Sequence, residues 1–257
     1  MPLVAPNQSA AIAAAIAAGT MLVMPPPLSD SVPGVPGQGL IELWRASAGM
    51  TLVDGKVSSW KGFNQTLATQ PDATKRPLGS AAGVAFSGAG DYLATPIVPD
   101  VAGYLVAKVK RATGATAAYT AIAGEQAKIS APQQQLSLGF TATDQAAAFI
   151  GDNSAANFAG STTVGNGTTA VIGLGWDSAT GAAVLRRDGV QEKARTFTAA
   201  TGGVAAGVGN RSLWLGGINA FNGFQNESGD ILIALAIYSG VFDDTARAAI
   251  DMAMSGL

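Results

Sequence analysis

The chain has 257 residues, 48% of them hydrophobic and 12% charged, with a net charge of −2. That apolar share can fill one large all-β domain or two small ones, and so weak a charge offers neither a basic face for nucleic acid nor a polyacidic tail. Cysteine and histidine are both absent. Their absence excludes a disulfide scaffold, thiolate or His-ligated metal sites, Ser-His-Asp and Cys-His catalysis and imidazole bases, and leaves carboxylate chemistry open.

Residues 1–24 form a segment of their own. Asn7-Gln8-Ser9 can cap a helix over 7–18, with Ile12 and Ile16 four residues apart among alanines and Gly19 to close it. No Lys or Arg precedes Arg45, so the positive region of a secretory signal is missing. The apolar run is also short for a membrane span. An Ala/Ile face packs closely on another backbone, which makes Ile12, Ile16 and Leu22, with Pro25, Pro26 and Pro27, the expected docking residues. Residues 25–39 are rich in Pro and Gly and read as a linker or a clamped extended arm.

From residue 40 to 257 short apolar runs alternate with turn residues. They predict strands at 40–45, 51–53, 57–61, 83–87, 91–95, 103–111, 117–123, 135–141, 145–150, 169–176, 182–187, 190–195, 212–216 and 230–238. Asp188-Gly189 is the best two-residue hairpin turn, and Asp54-Gly55 and Ser178-Ala179-Thr180-Gly181 are further turns. Lys108, Lys110 and Arg111 read as a polar strand face, and Ser161 to Gly167 as a surface loop. A final helix over 243–254, capped by Asp243 or Asp244, packs through Ala248, Ala249, Ile250 and Met254. The expected fold is all-β: a two-sheet antiparallel jelly-roll sandwich with a short N-terminal helix and a C-terminal helix. Its closing strand, from Gly229 to Tyr238, is expected to lie beside Ile41–Trp44.

Four segments in order carry a likeness: Leu43-Trp44-Arg45-Ala46-Ser47-Ala48-Gly49 with Val57-Ser58-Ser59-Trp60; Arg76-Pro77, Val84 to Gly88 and Asp91-Tyr92-Leu93; Ile172 to Asp177 continuing to Leu185 to Gly189; and Leu215-Gly216-Gly217, Phe221-Asn222-Gly223, Gly229-Asp230-Ile231 and Ile237-Tyr238. In these the region from residue 40 onward resembles the concanavalin A-like lectin/glucanase superfamily. It is most similar to the laminin-G-like jelly rolls of bacterial surface proteins and phage virions. The chain departs from that pattern at Arg45, where Asp is common, and at Ala234 and Leu235, where Glu is frequent.

The resemblance implies a structural or adhesion protein of a virion: a fibre, spike or decoration docked through residues 1–39 and displaying the sandwich. The implied partners are other virion proteins, further copies of the chain and a cell-surface glycan; neither nucleic acid nor a membrane is expected. The alternative is a secreted or surface carbohydrate-binding module of a bacterium. No enzyme is expected, because a glycoside hydrolase needs paired carboxylates, and Glu42, Glu125, Glu192 and Glu227 do not form the clustered Glu-x-Asp-x-x-Glu strand of catalytic members. No cofactor is required. Calcium, if bound, would take Asp91, Asp152 and Asn153, with Asp230 a weaker candidate better read as a turn residue. Trp44, Trp60, Trp176 and Trp214 sit in apolar runs and are expected in the core. Phe221, Asn222, Phe224, Gln225 and Asn226 form a loop of aromatics and amides, either a ligand-binding rim or an interface loop.

Overall fold

A computed structural model of the chain describes residues 22–23, 39–87, 90–111, 119–128, 134–150, 158–196, 211–220, 223–225 and 230–257. The helix expected over 7–18 lies outside them, as does the arm up to Gly39. In chain order the strands are β1 (Leu22–Val23), β2 (Leu40–Arg45), β3 (Met50–Val53), β4 (Lys56–Lys61), β5 (Leu67–Thr69), β6 (Leu78–Ser80), β7 (Gly83–Ala85), β8 (Leu93–Ala94), β9 (Ala102–Lys110) and β10 (Tyr119–Lys128). There follow β11 (Gln134–Thr141), β12 (Gln145–Ile150), β13 (Phe158–Thr163), β14 (Thr169–Asp177), β15 (Ala182–Arg187), β16 (Val190–Thr196), β17 (Trp214–Leu215), β18 (Ile218–Ala220), β19 (Gly223–Gln225) and β20 (Ile231–Ser239). The helix α1 spans Asp244–Ser255.

The pairings trace two antiparallel ladders. The first runs β16–β15–β14–β9–β20, with β2 and β7 end to end along the far edge of β20. The second runs β13–β12–β11–β10–β17–β8–β5–β4–β3–β1. Strand β6 bridges β4 and β7 and joins the ladders into one system. At the opposite margin β13 approaches β16, where Ser161 N–H donates to Glu192 Oε2 at 2.9 Å. The sheet is thus nearly closed on itself, consistent with a β-sandwich. Its expected closing pair is present: Leu43 lies opposite Ala236 and Trp44 opposite Leu235.

Alternation along each strand sends one set of side chains between the ladders. Leu105, Ala107, Val109, Ile172, Leu174, Leu235 and Ile237 from the first meet Ile122, Leu136, Leu138, Phe140 and Leu215 from the second in one core. Strand β9 is buried at nearly every position because its other face is covered too, by α1. There Ile250 and Met254 pack on Leu43, Tyr104, Val106, Val171 and Tyr238. A strand covered on both sides reads as a continuous apolar run.

Helix α1 starts where Asp243 accepts from Ala246 N–H at 2.8 Å. That start turns Ile250, Asp251 and Met254 toward the sheet and leaves Ala248 half-exposed and Ala249 exposed, against expectation. The β15–β16 hairpin turns at Asp188 and Gly189 with φ of 49° and 82°, the left-handed pair that a two-residue loop needs. Two local readings are corrected. Ser161–Thr163 belong to β13, because the β12 ladder supplies the partner that their small side chains do not advertise. Arg111 leaves the polar face of Lys108 and Lys110 and is buried.

Candidate functional site

The outer face of the second ladder gathers aromatic and neutral polar groups. Leu213, Leu215 and Leu93 enter the core, so alternation turns Trp214, Tyr92 and Ala94 outward. Trp214 lies opposite Ala94, and Ala94 opposite Thr69, in one row. The rings of Tyr92 and Trp214 stack at 4.2 Å between centroids and 4° between planes, and both residues are half-exposed. Their backbones are fixed from several sides. Tyr92 N–H donates to Lys75 O at 3.3 Å and Gln70 Nε2 donates to Tyr92 O at 3.3 Å. Leu213 N–H donates to Ile97 O at 2.7 Å, and the Thr95 hydroxyl donates to Leu213 O at 2.7 Å.

The same face continues across β10. Ala123, opposite Leu215, turns inward, so Gly124 turns outward opposite Ser137, and Ser137 lies opposite Phe149. Here Tyr119 and Gln135 both donate to Ser137 Oγ at 3.1 Å, and Gln126 Nε2 donates to Gln135 Oε1 at 3.1 Å. Tyr119 meets half-exposed Phe149 edge to face at 4.5 Å. Burial pushes the Tyr119 phenol above the ordinary tyrosine value, so it remains a neutral donor, with the Ser137 hydrogen bond opposing the shift. Tyr119, Ser137, Gln126 and Gln135 are buried. Among the described residues of this face the stacked pair, Ala94, Thr69 and Phe149 are half-exposed.

The outer face of the first ladder buries charged groups among its apolar ones. Under α1, Tyr104 OH donates to Asp251 Oδ1, Arg186 Nε donates to Asp251 Oδ2 at 2.8 Å, and Arg186 also pairs with Asp244 and donates to Gly189 O at 2.5 Å. Burial, with the Asp251 carboxylate adding to it, pushes the Tyr104 phenol well above its usual value. At the end of the core Arg111 bonds Asp230 at 2.5 Å, pairs with Asp144 and lies 4.3 Å over the Phe140 ring. These charges have partners within the fold, which reads as structure rather than as a substrate site.

Of the expected ligand loop, Phe224 and Gln225 lie in β19, paired through their backbones with Asn219 and Ile218; Phe221, Asn222 and Asn226 lie outside the described residues. Of the docking set, Leu22 pairs with Leu52 of β3, and Ile12, Ile16, Pro25, Pro26 and Pro27 lie outside. Asp91 is buried and accepts from both Ser87 N–H and Ser87 Oγ, at 3.0 and 2.5 Å. Asp152 and Asn153 lie outside the described residues, among which no cluster of three acidic side chains could hold a metal ion. Asp230, read as a turn residue, is the buried partner of Arg111. Trp44, Trp60 and Trp176 are core residues as expected, and Trp214 is not.

No family model matches the chain, and no curated protein matches it. Solved structures do. It is similar to Trypanosoma rangeli sialidase in complex with sialic acid, at 15% identity over 86% of this chain and 34% of that one, TM-score 0.63. It is similar to the same enzyme in complex with 2,3-difluorosialic acid as a covalent intermediate, at 14% identity over 86% and 34%, TM-score 0.61. With 2,3-difluoro-KDN the match is 13% identity over 97% and 39%, TM-score 0.62. The chain spans about a third of the length of these sialidase chains, and the likeness is one of fold. It corrects one expectation. A fold found within sialidase chains gives no ground for the statement that this protein is not an enzyme. None of these three neighbours is a virion protein.

Proposed function

We propose that the chain is a carbohydrate-recognition module, secreted or displayed at a surface, built on a two-sheet jelly roll of the concanavalin A-like kind. The stacked Tyr92–Trp214 pair carries this reading. It is a flat aromatic plate, half-exposed on a sheet face. A pyranose offers C–H groups on one face and hydroxyls around its rim. The plate takes the first by packing. Ladders that share one core between them support the jelly roll, and the likeness to sialidase chains supports a glycan setting. In this reading residues 1–39 attach the sandwich to a larger body.

A glycan array probed with the full chain tests it. The wild type retains a defined subset of glycans, and Trp214→Ala, still folded by circular dichroism, binds them about tenfold more weakly or worse. An array on which the wild type retains nothing overturns the reading. Mass spectrometry of the retained glycans after incubation reads cleavage in the same samples.

A further inference from the structure

Next to the strand that carries Trp214 lies a carboxyl group without a full set of partners. Glu125 on β10 is 2% exposed, and its Oε2 has no hydrogen-bond partner. The register turns it inward, opposite Leu136 of the core and alongside Asn219 of β18. Arg211 donates to Asn219 Oδ1 at 3.3 Å, and Asn219 Nδ2 donates to Ser212 O at 2.8 Å. These bonds tie residues 211–220 into a unit that contains Trp214. The groups facing Glu125 are the Leu136 backbone from β11, the neutral Asn219 from β18 and the Arg211 cation from the segment before β17. Its β10 neighbours, Gly124 and Gln126, are uncharged.

A buried carboxylate with an unpaired oxygen is far costlier than the neutral acid. Burial accordingly pushes Glu125 up to about 8, against the opposing pull of Arg211 and the Leu136 backbone. We propose that Glu125 is a proton-controlled seat for the 211–220 segment, holding the Trp214 platform tightest in acid and releasing it as the solution becomes alkaline. The consequence for glycan binding rests on the recognition reading above; the seat itself does not.

The sign follows from proton linkage. While the segment is seated, Glu125 keeps its proton up to about pH 8; once the segment opens, the group returns toward its ordinary 4.5. Opening between those values releases a proton. It is therefore favoured about tenfold per pH unit from roughly pH 5 to 8 and levels off above.

Hydrogen exchange of the 211–220 amides, read as wild type relative to Glu125→Gln between pH 5 and 9, tests the seat. The expected ratio climbs about tenfold per unit and flattens near pH 8. A ratio that stays level overturns the proposal. Should the glutamine variant fail to fold, carbon-13 labelling of glutamate in the wild type replaces it. The chain has four glutamates, Glu42, Glu125, Glu192 and Glu227. One carboxyl titrating near 8 supports the seat, and all four titrating in the ordinary carboxylate range sink it. Glycan affinity measured over the same pH range separates the two readings. A climbing exchange ratio with no glycan bound at any pH leaves the seat standing and removes the recognition reading, and glycan binding with a level ratio does the reverse.

Discussion

Beneath the C-terminal helix, the outer face of the first ladder holds Arg186, Asp251 and Tyr104, joined by hydrogen bonds and closed off from water. Across the core, the outer face of the second ladder holds Tyr92, Trp214, Tyr119, Ser137, Gln126 and Gln135, all uncharged, with its aromatic plate half-exposed. The two faces belong to one nearly closed sheet and share one core. They differ in what surrounds their polar atoms. The Arg186, Asp251 and Tyr104 groups pair with one another between the sheet and α1, and so fasten the helix. The neutral hydroxyls and amides of the other face are buried and bonded to one another, at less cost than buried charges, and the half-exposed plate lies on the same face.

Breaking the charged face is expected to have the largest effect. Arg186→Ala takes the buried cation from Asp251, leaving it the Tyr104 hydroxyl, and removes a partner of Asp244. The expected loss is about 3–5 kcal/mol in urea unfolding, the usual consequence of removing one member of a buried pair. A loss below about 1 kcal/mol would mean that Asp251 reaches water, and the contrast between the faces would disappear.

The neutral face should give less. Ser137→Ala removes the acceptor shared by Tyr119 and Gln135, at an expected cost of about 1–3 kcal/mol. Because Ser137 lies in one row with Gly124 and the half-exposed Phe149, the same variant should weaken glycan retention. Unchanged stability together with unchanged retention would mean that the hydroxyl organises neither the face nor a ligand.

Much of the frame was legible because its signals are local. Leu40–Arg45 and Ile231–Ser239 are apolar runs long enough to be strands, and Asp188-Gly189 supplies the left-handed backbone that its turn requires. The short strands β5, β6, β18 and β19 carry almost no pattern of their own; their ladder partners define them. The site was less legible. Trp214 looks like a core residue in an apolar run. A period of two applied to Leu213-Trp214-Leu215 would have set it opposite two inward leucines, and the same reasoning turns Tyr92 away from Leu93. The charged pairs offer no comparable signal. Arg186 and Asp251 are 65 residues apart, and Arg111 and Asp230 are 119 apart. Such partners become visible only once the register of the strands brings them together. Glu125 is hidden for the same reason: β10 places it inward only after the bulge between Ala121 and Ala123 shifts the alternation.

The smallest effect asks whether the two faces are independent. Asp243→Ala removes the cap from Ala246 N–H, a change worth about 1 kcal/mol at an exposed helix start. The cap sits one residue before Asp244, which Arg186 holds, so the loss should appear as faster exchange in the first turn of α1. The Tyr92–Trp214 plate lies on the far side of the core, and residues separated by more than about 10 Å with no shared partner seldom couple. Glycan retention should therefore be unchanged in Asp243→Ala. Weaker retention would show that the helix restrains the recognition face through the core, and the two faces would then have to be treated as one mechanical unit.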